Sequence, residues 1–360
     1  MPRHRGLRLV ERPQGKVSRR FFDQVIHPHL GRRRADIVVG PYTGVDVGVV
    51  RLTAHRVLLS TTDPLYIEPR LGWERAAWFA FHILASDLTT TGCRPDWATI
   101  DLDVPPDTSD RALETILRVF DRESRRLGTA IVTGHTGRYP GCAFPIVGSG
   151  TLLTAAGSDE YITTRRIPAG AELLLSRTVA LEATGMLATF FPERIRDQLG
   201  SGTLRRAKAF TPFMSTVGDA LRAARVGLKR EGVWAMHDAT EGGVRTAAWE
   251  MAVASGRGLE ADLSRAHVDP TAHDVAGLFG VDPLDASSEG TLLLAVDPDR
   301  VDDVTAALRS GGSTVSRLGR FTRRPQVLRD GAKILRPAAS DSYWAAVRRE
   351  HRSPRRRYGR

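Results

Sequence analysis

The sequence is poor in cysteine, in lysine and in long apolar runs, and each shortage excludes a class of protein. Its two cysteines are Cys93 and Cys142, and neither has a CxxC partner. This excludes a disulfide framework and a cysteine-based zinc site, and it fits a reducing compartment. The longest strictly apolar run, from Ala76 to Phe81, is too short to cross a bilayer. We therefore expect a soluble, cytoplasmic protein with no signal peptide and no membrane partner.

The positive charge of the chain is concentrated at its two ends. The net charge is +11, but residues 1–34 carry ten Lys and Arg against two acids, and residues 348–360 carry seven Arg against one Glu. Between these ends, 35 basic residues face 38 acidic ones. Only four of the 52 basic residues are lysines, which indicates a general arginine bias. We interpret the ends as solvated arms. We do not expect nucleic acid as a partner, because no zinc finger, RNP motif or basic-aromatic pattern is present.

Hydrophobic periodicity predicts two α+β domains. At 360 residues and 41% apolar content, the chain is long enough to bury two cores. Apolar residues at three- and four-residue spacing predict a helix over 110–127, and alternation predicts a strand over 97–104. Another strand is predicted over 56–63, ending at Asp63. Because strands and helices interleave with short hairpins, the first half is α+β and not a simple parallel unit.

The polar, turn-rich stretch 155–172 is the best candidate for a domain boundary. The predicted division is a basic arm at 1–34, a first domain at 35–157, a second domain at 168–323, and a hairpin with a basic tail at 324–360. In the second half we also predict one helix over 205–229, a tight hairpin at Asp330-Gly331, and a frayed helix beyond about residue 345.

Three aspartates are candidate metal ligands. Asp87 falls on the apolar stripe of a helix that begins near Trp73, so it must be paired, hydrogen-bonded or bound to metal. An equally good interpretation is a helix-terminal aspartate bonded to nearby backbone amides. Asp63 ends one apolar strand and Asp46 precedes another, and each alone is a common turn residue. If the three cluster, they form a site for Mg²⁺, which takes carboxylates together with phosphate oxygens.

The sequence Asp238-Ala239-Thr240-Glu241-Gly242-Gly243 is a candidate anion site. A strand ends there, glycines permit close backbone approach, and the amide-rich start of a helix over 244–255 follows. The alternative is a capping turn in which Thr240 or Asp238 is the cap. Glu289 either closes the same site or begins a strand.

Five motifs together resemble a known family. They are STTDPLYI, ASDLTTTGCRP, IVTGHTG, HDATEGGV and SSEGTLLLAV. Their order and spacing resemble the aminoimidazole ribonucleotide (AIR) synthase superfamily, also called PurM-like, over roughly residues 15 to 323. This superfamily includes HypE, selenophosphate synthetase and thiamine-monophosphate kinase. The opening GKVSRRFFDQVIHPHLG and the closing SEGTLLLAV are most similar to the hydrogenase-maturation HypE group and to AIR-synthase-related proteins.

The resemblance implies a fold, a cofactor and a site. It implies a ferredoxin-like N-terminal domain that forms a homodimer through its sheet, an α/β C-terminal domain, and ATP held near the dimer interface with bridging Mg²⁺. It assigns Asp46, Asp63 and Asp87 as metal ligands. The cofactor-binding residues expected from the motifs are Lys16, Asp46, Asp63, Gly134, His135, Thr136, Thr240, Glu241, Gly242 and Gly243. The expected catalytic residues are Asp87, His135 and Asp238.

The sequence also departs from the family pattern. The usual paired acids of the first motif are reduced to the single Asp46, and His135 and Gly137 replace the acid and the lysine of a GDTK motif. HypE uses a C-terminal cysteine, whereas this sequence ends RRRYGR. We therefore expect an enzyme that uses ATP to activate a carbonyl or amide oxygen of a small substrate, without the HypE thiol chemistry. The alternatives are a small-molecule kinase resembling thiamine-monophosphate kinase, and a non-catalytic nucleotide-binding assembly partner.

Overall fold

The computed structural model describes residues 15–352 and contains two sheets with helices packed on them. The first sheet has six strands: β1 (Ile37–Val39), β2 (Gly48–Arg51), β3 (Arg56–Tyr66), β4 (Trp97–Val104), β5 (Ala130–Arg138) and β6 (Ile146–Gly157). Their spatial order is β1-β2-β3-β6-β4-β5. Only β4 and β5 pair in parallel, which requires a crossover connection between them.

That crossover is one of two long helices that accompany the first sheet. The helices of this half are a short α1 (Arg19–Phe21), α2 (Trp73–Thr89) and α3 (Asp110–Leu127). The Ser109 hydroxyl caps the start of α3, and Gly128 ends it in the left-handed conformation. Side chains of β4 alternate between buried and more exposed positions. The strand predicted over 97–104 and the helix predicted over 110–127 are both confirmed.

The second half of the chain forms a seven-stranded sheet with the order β13-β12-β9-β11-β7-β10-β8. Its strands are β7 (Glu172–Ser176), β8 (Val233–Asp238), β9 (Gly258–Ala261), β10 (Leu292–Val296), β11 (Val315–Thr322), β12 (Leu328–Asp330) and β13 (Lys333–Ile334). Its helices are α4 (Leu181–Phe190), α5 (Pro192–Lys208), α6 (Val217–Val226), α7 (Gly243–Ser255), α8 (Pro270–Phe279), α9 (Val301–Ser310) and α10 (Ser342–Arg352). The expected two-domain α+β architecture is confirmed. None of the helices within 15–352 has the length and apolar character needed to cross a membrane.

The strand predicted to end at Asp63 continues to Tyr66, so that expectation is wrong. Asp63 pairs with Gly150 of β6, and Pro64 pairs with Ser149. β2 accompanies β3 only as far as Ser60, so the later part of β3 is paired on one side. Proline is tolerated where its missing N–H would face an unpaired edge.

Two predictions for the second half are also wrong. The single helix predicted over 205–229 is divided between α5 and α6, with a turn containing Pro212 between them. The helix predicted to fray beyond residue 345 is α10, which is packed. Tyr343, Ala346 and Val347 are buried, and the Arg349 guanidinium donates to the Phe279 carbonyl. The last predicted tail residues, from 353 onward, lie outside the described part of the chain.

Candidate functional site

The fold brings four aspartates from both halves of the chain together. Asp46 lies just before β2, and Asp63 lies within β3. Asp87 is in the last turn of α2, and Asp238 ends β8. The charges of Asp46, Asp63 and Asp238 each raise the pKa of Asp87, which requires that the carboxylates be close. The carboxylates of Asp46, Asp63 and Asp87 are thus near enough to act on one another electrostatically, with Asp238 as a fourth member, and their role as metal ligands stays a prediction.

A buried histidine joins Asp46 to the second half. His237 Nδ1 lies 2.6 Å from Asp46 Oδ2, and its Nε2 lies 3.0 Å from Glu250 Oε2 of α7. The imidazole is only 1% exposed. Although burial lowers the pKa of His237, the charges of Asp46 and Glu250 raise it well above its ordinary value. A protonated His237 thus pairs with two carboxylates and fixes the two sheets relative to each other at this point.

The carboxylate of Asp87 is oriented by a hydroxyl. Thr61 Oγ1 lies 3.1 Å from Asp87 Oδ2 and 2.9 Å from the Asp46 carbonyl oxygen, and its single hydroxyl proton is donated to one of the two at a time. One turn of α2 is therefore tied to β3 and to the loop before β2. The interpretation of Asp87 as a helix-terminal residue bonded to backbone amides is wrong. Its carboxylate is surrounded by the Thr61 hydroxyl and the neighbouring acids.

Glu289 belongs to the same region. It is 1% exposed, and its Oε1 accepts from Ser86 Oγ at 2.7 Å. Burial, with the charge of Asp238, raises the pKa of Glu289 well above its ordinary value. Its other oxygen, Oε2, and Asp238 Oδ2 accept from no donor group of the described residues. A proton held between these two carboxyl groups would satisfy both oxygens, which agrees with the raised pKa of each. Glu289 therefore lies beside Asp238, three residues before β10 begins at Leu292, and its part in the site stays a prediction. In the absence of a proton, the buried oxygens of Glu289 and Asp238 would be satisfied by a cation.

Burial and mutual repulsion raise the pKa of several carboxyl groups in this cluster. Burial raises the pKa of Asp63 to about 6, with contributions from Asp238 and Asp46 and an opposing one from Lys16. Burial also raises the pKa of Asp87 and of Asp238. Burial would raise the pKa of Asp46 too, but His237 and Lys16 lower it to about 2. Because both ring nitrogens of His237 are engaged with Asp46 and Glu250, the donors left for a cation are carboxylate oxygens, which suit a hard cation such as Mg²⁺. Asp46, His237 and Asp238 each offer an atom within 4.8 Å of the others.

Lys16 approaches the acids from the N-terminal arm. Its Nζ lies 3.3 Å from Thr240 Oγ1, and its backbone N–H donates to Glu241 Oε2 at 2.5 Å. Burial lowers the pKa of Lys16, but the charges of Glu250, Asp46 and other acids of the cluster outweigh it and raise this pKa. The residue as a whole is exposed, so its ammonium reaches the cluster from a solvent-accessible segment.

The glycines after Glu241 are required by close packing. Gly242 and Gly243 have φ angles of 78° and 62°, and a Cβ on Gly243 would lie 2.6 Å from the Leu284 and Ala286 carbonyl oxygens. The Gly242 amide donates to Asp341 Oδ2 at 2.9 Å. Part of the predicted anion site at the start of α7 is thus filled by a carboxylate of the same chain.

The residues of the third motif lie elsewhere. Gly134, His135 and Thr136 are exposed on the edge strand β5, in the row Asp63, Gly150, Ile100, Gly134 that crosses four neighbouring strands. At about 4.8 Å per strand, this row puts Gly134 about 14 Å from Asp63. His135 Nε2 lies 2.7 Å from the Tyr139 hydroxyl. Within one chain, the structure does not bring these three residues to the acidic cluster, and their roles stay predictions.

Sequence reasoning missed His237, Glu250 and Asp341. His237 and Asp238 are adjacent polar residues in the otherwise apolar strand β8, and that pair was an available signal. Glu250 was not recognisable, because its partner lies on another element. Asp341 lies in a segment that was expected to be tail.

The two cysteines are outside the cluster. Burial raises the pKa of the Cys93 thiol, and its Sγ lies 3.5 Å from the Glu160 carbonyl oxygen. Cys142 is half-buried in the loop between β5 and β6. These environments do not favour a thiolate nucleophile at Cys93.

Comparison with known proteins places this arrangement in a family. Carbamoyl dehydratase HypE of Escherichia coli is 28% identical over 248 residues, which cover 68% of this chain and 69% of that protein. Selenide, water dikinase of Nitratidesulfovibrio vulgaris is 25% identical over 333 residues, covering 81% and 86%. The crystal structure of E. coli HypE superimposes with a TM-score of 0.65 at 25% identity, covering 79% of this chain and 86% of that one. Residues 44–152 match the N-terminal domain and residues 170–330 the C-terminal domain of AIR synthase related proteins. The chain therefore belongs to the AIR synthase related family and has its PurM-like two-domain fold.

Proposed function

We propose that this protein is an ATP- and Mg²⁺-dependent enzyme that activates a carbonyl or amide oxygen of a small substrate by phosphorylation. The observation that carries the proposal is the cluster of four aspartates between the two sheets, in which Asp238 is buried and Asp46, Asp63 and Asp87 are half-buried. Asp238 and Glu289 each have an oxygen that no donor group of the described residues satisfies. The names of the relatives support it, because they describe a carbamoyl dehydratase and a dikinase. A HypE structure in complex with ATP has the same fold, with a TM-score of 0.63 at 18% identity.

Asp46, Asp63 and Asp87 are the residues that would hold Mg²⁺. Bound there, the metal supplies positive charge that neutralises the triphosphate and polarises the transferred phosphoryl group. His237 holds Asp46 in place through its ion pair, and Thr61 holds Asp87 through its hydroxyl. Lys16 carries its ammonium toward Thr240, where it can contact a phosphate oxygen. Catalysis would rest on this positioning and charge neutralisation and would need no protein nucleophile.

The proposal includes a homodimer formed through the first sheet. Strand β5 is at the edge of that sheet and is exposed along nearly its whole length, including Ile131 and Val132 at 45% and 55%. Ile146 of β6 is 56% exposed. Exposed apolar residues on an unpaired edge strand favour pairing with another chain. A second copy seated there would cover these residues and bring the exposed Gly134, His135 and Thr136 against a neighbouring chain. Light scattering at micromolar concentration tests the dimer, and a monomer would count against it.

Turnover of ATP tests the enzymatic part of the proposal. Phosphate release from ATP is measured with Mg²⁺, with and without a deproteinised extract of small metabolites. The double variant Asp63→Asn/Asp87→Asn should lose turnover at least about a hundredfold, since phosphoryl transfer depends on metal positioning. A matched control, Asp302→Asn/Asp303→Asn on the exposed face of α9, should keep it.

Three outcomes are distinguishable in this assay. Release of phosphate that depends on the extract supports activation of a substrate oxygen. A stable phosphorylated product without phosphate release would instead indicate a kinase. Binding of ATP without any turnover would indicate a non-catalytic assembly partner and would contradict the proposal.

A further inference from the structure

A large cavity lies between the two halves of the chain, away from the acidic cluster. Its volume is about 930 Å³, which is within the range of small-molecule sites. Residues of α2 and α3 line one side, and residues of α5, α6 and the loop after β7 line the other. None of the four clustered aspartates is among its lining residues.

Arginines from five different segments converge on this cavity. They are Arg94, Arg126, Arg177, Arg206 and Arg222. The acids nearby are Glu123 and Asp269 in the wall and Asp219 behind it. With the histidines neutral, this leaves an excess of two positive charges. The chain between its basic ends has slightly more acids than bases, so general composition does not account for the local excess.

Two of these arginines are free to pair with a ligand. Within residues 15–352, neither Arg94 nor Arg206 forms an ion pair with a carboxylate. Arg206 donates only to the hydroxyls of Thr271 and Thr203, at 3.3 and 3.0 Å. Both side chains are exposed at the cavity lining, so an anion that enters the cavity can pair with a guanidinium group that no carboxylate of the described residues neutralises.

Another arginine is held rigidly in the wall. Arg177 is a non-glycine residue with a φ of 63°, a conformation that costs free energy unless the surroundings enforce it. Its Nε lies 3.0 Å from Asp219, which is fully buried, and its Nη1 donates to the carbonyls of Phe213 and Ser215. A guanidinium fixed by three partners provides a positive charge at a defined place.

The rest of the wall is apolar and aromatic. Trp78 stacks on His82 with ring centroids 4.3 Å apart, and Phe213 is 57% exposed although it is a large apolar residue. Leu127 and Phe210 also line the space. A ligand in this cavity would therefore contact aromatic side chains with one of its ends and arginine guanidinium groups with the other.

We propose that this cavity binds a phosphate monoester that carries an aromatic or apolar group. The dianionic phosphate matches the excess of two positive charges, and its oxygens match the forked geometry of Arg94 and Arg206. The ring system lies against Trp78 and Phe213. This site is separate from the proposed ATP site, and the inference does not rest on the proposed function.

Calorimetry with phenyl phosphate tests this site directly. The full-length protein is titrated in EDTA and low salt, so that the metal-dependent site contributes nothing and screening is weak. We expect saturable binding, and the double variant Arg94→Ala/Arg206→Ala should weaken it at least about tenfold, as loss of two charge-assisted contacts requires. The control Arg125→Ala/Arg205→Ala removes the same charge from positions on the same two domains that do not line the cavity, and it should change affinity less than about twofold.

Three results would overturn the proposal. One is the absence of saturation by phenyl phosphate up to millimolar concentration. Another is an equal loss of affinity in the two double variants, which would show only a general charge effect. The third is equal affinity for inorganic phosphate and phenyl phosphate, which would show that the aromatic wall makes no contact.

Discussion

Replacing His237 by alanine should destabilise the metal-free protein by about 3 kcal/mol. The imidazole lies between Asp46 and Glu250 at 2.6 and 3.0 Å and is 1% exposed. Removing one partner of a buried ion pair typically costs about 3 to 5 kcal/mol, because the remaining charge is left uncompensated. We expect the lower end of this range because the Asp46 and Glu250 side chains are each 15% exposed.

Urea unfolding in EDTA, followed by circular dichroism, measures this loss. His273→Ala is the matched control, since that side chain is 78% exposed and its removal should change the free energy of unfolding by less than about 0.5 kcal/mol. Because the folded pKa of His237 is raised, its contribution is complete below about pH 6.5, the unfolded value, and is lost as the pH rises through the folded pKa. The difference in the free energy of unfolding between wild type and variant should therefore become smaller toward high pH. A loss below about 1 kcal/mol, or a gap that widens as the pH rises, would refute the ion-pair account.

Three further predictions concern the tail, a buried acid and a thiol. Truncation after residue 341 should lower the free energy of unfolding by several kcal/mol, because α10 buries Tyr343 and Val347 against the second half; an unchanged urea midpoint would contradict this. Burial raises the pKa of Glu182 to about 8, so its contribution to stability is present below the unfolded value near 4.5 and is lost as the pH rises through 8. Glu182→Gln should therefore lose less stability than wild type between pH 5 and pH 9, by up to about 4 kcal/mol in EDTA, and parallel curves would count against it. Cys142→Ala should keep ATP turnover within a few-fold of wild type, whereas a hundredfold loss with binding retained would restore a thiol mechanism.

Secondary structure could be predicted where the residues that determine an element lie within that element or next to it. Helix α3 has an apolar stripe, a serine cap and a terminal glycine within residues 109–128, so its limits could be predicted. Asp87 could be identified because a carboxylate on an apolar stripe is anomalous wherever the helix packs. The resemblance of the motifs to a known family then indicated Asp46 and Asp63 as its partners. The spacing of the three residues alone could not show that they lie close together.

The missed features depend on contacts between distant segments. Strand β8 is almost wholly buried on both faces, so it has no alternation from which a polar role for His237 could be read. Helix α10 is buried against a surface formed by α4 and α8. The sequence of α10 alone does not indicate that this surface exists. Likewise, the strand end predicted at Asp63 was wrong because the one-sided pairing of β3 beyond Ser60, which tolerates Pro64, cannot be known from its sequence.

The Mg²⁺ dependence of ATP affinity tests the central claim most directly. Asp46, Asp63 and Asp87 would face the triphosphate without any screening charge other than Lys16 and His237, and metal ions are needed to overcome that repulsion. Calorimetric titration of ATP in millimolar Mg²⁺ should give an affinity at least about tenfold higher than in excess EDTA, a difference of about 1.4 kcal/mol or more. Equal affinity under the two conditions would contradict the assignment of these aspartates as metal ligands.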